Sequence, residues 1–103
     1  GDVSILAVSE LPNDITLTPL SPNGLVVAVG ESTGSKHKLV ADRPELVEVD
    51  QDQRGFFWLK VGAAANVRLV HETHEQVLLP DVYYRIGTQV EADPIKEYRR
   101  VSD

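Results

Sequence analysis

The chain contains no cysteine, which excludes disulfides, thiolate metal ligands and a cysteine nucleophile, and leaves a reducing compartment fully tolerated. It does not read as a secreted disulfide protein. Any transition metal would have to be held by imidazole and carboxylate. No apolar run approaches the roughly 20 residues that span a bilayer, so a membrane is not an expected partner. The opening segment, Gly1-Asp2-Val3-Ser4-Ile5-Leu6-Ala7-Val8, lacks a basic n-region and its apolar run is short and alternating, so export is not expected. Positive charge is also scarce. Ten Lys and Arg stand against sixteen Asp and Glu, a net charge of −6, which repels phosphate backbones and argues against nucleic acid as a partner. Finally, there is no helical periodicity longer than a turn or two, no internal repeat, no low-complexity tract and no linker.

What is present is short-range alternation. At 103 residues the chain has room for one hydrophobic core, so residues 1–103 are expected to form a single β domain. Val3, Ile5 and Ala7 alternate with their neighbours over a first strand near 2–8. Leu11-Pro12-Asn13-Asp14 is turn chemistry, and Ile15 to Thr18 resumes the alternation before Pro19 and Pro22, which keep that strand short and at an edge. Asn23-Gly24 predicts a tight turn, and Leu25-Val26-Val27-Ala28-Val29, apolar on both faces, reads as a central strand. Lys36-His37-Lys38-Leu39 turns both lysines outward and His37 to the side of Leu39. Val47 and Val49, a polar loop from Asp50 to Gly55, and Phe56-Phe57-Trp58-Leu59-Lys60-Val61 predict a hairpin whose aromatics supply much of the buried area. Gly62 to Ala65 is too short for an independent helix and reads as a connection, with room for one helical turn. Val67, Leu69 and His71 share a face. Val77 to Leu79 is a short strand closed by Pro80-Asp81, and Val82 to Val90 a long one. The expected fold is all-β: an antiparallel sandwich or small barrel of about eight short strands, with a short C-terminal tail or helical turn.

The polar corner Val70-His71-Glu72-Thr73-His74-Glu75-Gln76 holds two of the three histidines where a strand stops. Residues i and i+3 of a strand face opposite ways, so His71 and His74 share a ligand only if the segment turns and brings its ends within about 7 Å. With inward His37, that turn gives three imidazoles, and Glu31, Glu72 or Glu75 adds a carboxylate. Such a set suits zinc or another divalent metal, with His37, His71, His74 and Glu72 as candidate ligands. The spacing is not the helical two-histidine repeat of the zinc proteases. The alternative is that the inward histidines bond backbone carbonyls and His74 is solvated.

Other constellations carry less. Gly30-Glu31-Ser32-Thr33-Gly34-Ser35 lacks the P-loop pattern and a following helix, so it reads as a hairpin loop and not a phosphate cradle. Ser35 and His37, two apart on a strand, form no triad, and no nucleophile elbow exists. A small-ligand or carbohydrate site on Trp58 or the tyrosines has no distinguishing spacing. Arg85, Arg99 and Arg100 with Tyr83 and Tyr98 form a basic aromatic set. Residues 94–103 are the expected partner-binding tail, carried by Tyr98, Arg99 and Arg100.

From Gly24 onward the order of motifs resembles a group of small proteins of tailed bacteriophages and bacterial genomes. Their pattern is a Gly-Glu-x-Thr-Gly-His-x-His loop, then His-Glu-x-His, then Leu-Pro-x-x-x-Tyr, then an acidic residue and Pro before a short tail. Gly30-Glu31-Ser32-Thr33-Gly34-Ser35-Lys36-His37, His71-Glu72-Thr73-His74, Leu79-Pro80 with Tyr84, and Asp93-Pro94 follow it in order, and Gly1-Asp2-Val3 resembles the family's start. Ser35 stands where the pattern has its first loop histidine, which removes one metal ligand if the shared histidines form a site. The resemblance implies a phage or prophage setting and no established chemistry. The expected function is a non-enzymatic structural or interaction protein, a virion component such as a capsid decoration or head-tail protein, located in the virion or the bacterial host cytoplasm. Its partners would be virion proteins or copies of itself. The alternative is a small metal-binding β domain or metalloenzyme using the His/Glu cluster.

Overall fold

The computed structural model describes residues 2–29, 36–71, 76–80, 82–89 and 99–101. Among these residues the structure is all-β apart from one short 3-10 turn at Pro44–Leu46. Ten strands follow in chain order: β1 Asp2–Val8, β2 Thr18–Pro19, β3 Leu25–Val29, β4 Lys36–Ala41, β5 Val47–Gln51, β6 Phe57–Val61, β7 Val67–His71, β8 Val77–Leu78, β9 Tyr83–Gln89 and β10 Arg99–Val101. They form two antiparallel sheets, one of six strands in the order β10-β1-β9-β6-β5-β2 and one of four in the order β3-β4-β7-β8. The expected choice between sandwich and barrel thus resolves to two open sheets.

One core joins them. The six-stranded sheet contributes Val3, Ile5, Val47, Leu59, Tyr84 and Ile86, and the four-stranded sheet Val27, Leu39, Val67 and Leu69, with Leu20, Ala65 and Leu79 from the connections. Register explains why these side chains meet. Ile5 stands opposite Ile86 and Ile86 opposite Phe57, so successive strands place apolar residues in one row on the inner face. The predicted hairpin forms as β5–β6, with Val47 opposite Val61 and Val49 opposite Leu59.

Four local expectations are corrected. Leu25–Val29 is not central but the edge strand of the four-stranded sheet, and Val26 and Val29 are 40% and 54% exposed. An uninterrupted apolar run reads the same whether its second face meets a neighbour or water, so the pattern could not separate the two. The second strand is confined to Thr18–Pro19, at the edge where proline was expected to hold it. Gly62 to Ala65 is the expected connection, but its turn is not helical: Ala65 donates to the Gly62 carbonyl with Ala64 at φ 68°, and Asn66 follows at φ 53°. The described part of the tail, Arg99–Val101, is a strand paired with β1 and not a helical turn.

The turn into β3 is built on Gly24. Its φ is +86°, and its N–H donates to the Ser21 carbonyl at 2.9 Å. A Cβ at Gly24 would lie 2.5 Å from the Leu39 carbonyl oxygen. Both the backbone conformation and the close approach to β4 therefore require glycine.

Candidate functional site

Alternation along β4 and β7 buries every second residue. His37 and Leu39 are inward on β4, and Val67, Leu69 and His71 on β7, while Lys36 and Lys38 point out. Because Leu39 pairs with Leu69, His37 falls directly opposite His71. Their ring centroids are 4.3 Å apart with the planes tilted by 37°. The residues are 1% and 6% exposed, and Nε2 of each ring is shielded from solvent. Two of the four expected metal ligands thus come together at one end of the four-stranded sheet. His74 and Glu72, with Glu31, Ser35 and Glu75, lie outside the described residues. Among the described residues, no group of three metal-capable side chains is assembled.

The expected tail site is divided in the same way. Tyr98 lies outside the described residues, whereas Arg99 and Arg100 belong to β10, opposite Ile5 and Ser4. For the aromatic-platform alternative, Trp58 and Tyr84 are only 7% and 2% exposed, so neither offers an open stacking face.

Sequence reasoning missed a corner built on Asp52. This carboxylate accepts from the Trp58 indole at 2.9 Å, from the Phe56 N–H at 3.0 Å and from the Arg54 N–H at 2.9 Å. Burial alone would raise its pKa. The hydrogen bonds from Trp58, Phe56 and Arg54, with the Arg54 charge, outweigh that and hold the carboxyl below the ordinary carboxylate range. Beside it, the Arg85 guanidinium lies 4.5 Å from the Phe56 ring centroid and 5.9 Å from that of Trp58, and Arg54 lies 4.9 Å from Phe56. Phe56 packs so closely on Gly87 that a Cβ there would sit 2.6 Å from the ring. The signal was Asp52 two residues before Arg54, a side-chain-capped turn leading into an aromatic strand. Chemically this is a fastened loop. A carboxylate held in its ionised form by several donors is a weak proton acceptor, so the corner braces the β5–β6 hairpin.

Exposed apolar side chains are the second feature. Val26, Val29, Leu78 and Val82 are the large hydrophobic residues left exposed among the described residues, and three of them lie on β3 and β8, the edges of the four-stranded sheet. Register sets Val26, Lys38 and Val70 in one row on the outer face of that sheet, and Val40, Arg68 and Leu78 in the next. Arg68 donates to Asp42 at 2.9 Å. That hydrogen bond, followed by the one from Asn66, keeps the Asp42 carboxyl below its ordinary range.

No curated protein and no solved structure matches the chain. A family profile does: that of a domain of unknown function, DUF8820, over residues 1–89, a span that closes at the last residue of β9. The match takes in both sheets except β10, and with it the His37–His71 pair and the Asp52 corner, so the chain belongs to the DUF8820 family.

Proposed function

We propose that this chain is a non-enzymatic structural and interaction domain. The observation that supports it is the outer face of the four-stranded sheet, where Val26, Val29 and Leu78 are exposed at 40%, 54% and 62%. An antiparallel sheet with one face on the core ordinarily turns polar residues to water, and apolar residues exposed at both edges of this face, with half-buried Val40 and Val70 between them, mark a surface that another molecule covers. The resemblance to small proteins of tailed phages supports a place in a virion, as a capsid decoration or head-tail component, before assembly in the host cytoplasm. Quantitative mass spectrometry of purified particles tests this. The chain is expected in fixed stoichiometry with the major structural proteins. Its absence from particles, together with monomeric behaviour in infected-cell extract, would refute the proposal.

The 4.3 Å approach of His37 and His71 supports a second reading, a divalent metal site completed by His74 and Glu72. Calorimetric titration of tag-free protein with zinc checks it. Binding lost in both His37→Ala and His71→Ala is expected, and zinc binding indifferent to both substitutions would eliminate this reading.

A further inference from the structure

Among the described residues, the strands of the four-stranded sheet carry a charge opposite to that of the chain. Net charge is −6, yet β3, β4, β7 and β8 contain no Asp or Glu, and they carry Lys36, Lys38 and Arg68. Alternation aims all three cations outward, among Val26, Val29, Val40, Val70 and Leu78. Arg68 is engaged by Asp42 and by the Asn66 carbonyl. Lys36 and Lys38 are exposed, and among the described residues neither makes an ion pair.

We infer that this face docks an acidic, extended segment of another protein, whose carboxylates meet Lys36 and Lys38 and whose apolar side chains cover Val26, Val70 and Leu78. The inference rests on the interaction reading and names the chemistry of its partner. Spacing fits the occupant: Lys36 and Lys38, two apart on one strand, stand about 6.4–6.8 Å apart along it, the repeat of same-side residues on any extended chain. A second copy of this chain is disfavoured, because a two-fold contact sets each face against itself, bringing lysine toward lysine with no carboxylate on either strand set. Phosphate backbones are disfavoured as well. They leave the interleaved valines uncovered and are repelled by the rest of the molecule.

The test uses the full chain, isotope-labelled, with three probes: a short peptide alternating glutamate and valine, the same peptide with lysine for glutamate, and phosphatidylglycerol vesicles. The glutamate peptide is expected to shift the amides of Val26, Lys36, Lys38, Val70 and Leu78. Affinity should fall with salt and drop by about tenfold in the exposed double variant Lys36→Glu/Lys38→Glu. Equal binding of the lysine peptide, shifts confined to other surfaces, no response to any probe, or preferential binding of the vesicles would each overturn the inference. Presence in particles without a peptide response would remove this partner and leave the structural role intact. A peptide response from a chain absent from particles would do the reverse.

Discussion

The His37 imidazole lies 4.3 Å from that of His71 because Leu39 is registered opposite Leu69, two residues further along the same strand pair. A one-residue slip of β4 against β7 would carry one ring out of contact, so the pair reports the register of the four-stranded sheet. His37→Ala and His71→Ala are each expected to destabilise the fold by about 1–3 kcal/mol, as loss of buried packed side chains does. A double-mutant cycle by urea denaturation should return a coupling of about 0.5–1.5 kcal/mol, and strictly additive losses would show that the rings do not stabilise one another.

Asp52 gives a pH dependence with a definite sign. Its carboxyl is held below the unfolded value of about 4, with burial opposing and the Trp58, Phe56 and Arg54 hydrogen bonds prevailing. Its contribution is therefore full above about pH 4 and is lost as pH falls through the lower folded value. Thermal melts from pH 7 down to pH 2 should show Asp52→Asn less stable at neutrality and approaching the parent protein in acid. A constant gap across that range would contradict the assignment.

Gly24→Ala should be among the most damaging single changes in the chain. It combines a φ of +86° with a Cβ 2.5 Å from the Leu39 carbonyl, and a backbone oxygen cannot swing aside. A loss of about 2 kcal/mol or more by chemical denaturation is expected, and a loss below about 0.5 kcal/mol would show that the turn is free to rearrange.

Ala64→Gly should have the opposite effect. Ala64 is exposed with φ 68°, a conformation that costs an L residue roughly 1 kcal/mol and glycine almost nothing. The variant is expected to melt at a higher temperature, by an amount corresponding to no more than about 1 kcal/mol, because unfolded glycine gains entropy that offsets part of the relief. A lower melting temperature would indicate that the methyl group makes contacts worth more than the strain.

Local pattern was enough to orient side chains. The inward turn of His37, the shared face of Val67, Leu69 and His71, and the hairpin that joins the Val47–Val49 arm to the Phe57–Val61 arm are all found as alternation and turn chemistry predict. Pairing between distant strands was not legible. Inward facing grouped His37 with His71 as candidate ligands, but nothing near His37 says that β4 lies beside β7, so their direct cross-strand pairing was not readable from either segment. The apolar run at β3 was misplaced for a related reason: its outward valines face water, where a covered strand would have the same spelling. Trp58 shows a third limit. It is buried on the outer face of its sheet, held there by Asp52 and flanked by Arg85, so alternation alone does not say which side a large ring finds shelter on.

The position of β1 has a consequence for how the molecule is made. Its neighbours among the described residues are β9 and β10, with Ile5 opposite Ile86 and Val3 opposite Val101. During synthesis β1 therefore emerges well before its partners β9 and β10, exposing Val3 and Ile5 to wrong pairings and to chaperones meanwhile. Closing so long a loop places refolding in the slow class of non-local β topologies, milliseconds to seconds. A chain interrupted before Tyr83 would strip β1 and β6 of the same neighbour at once.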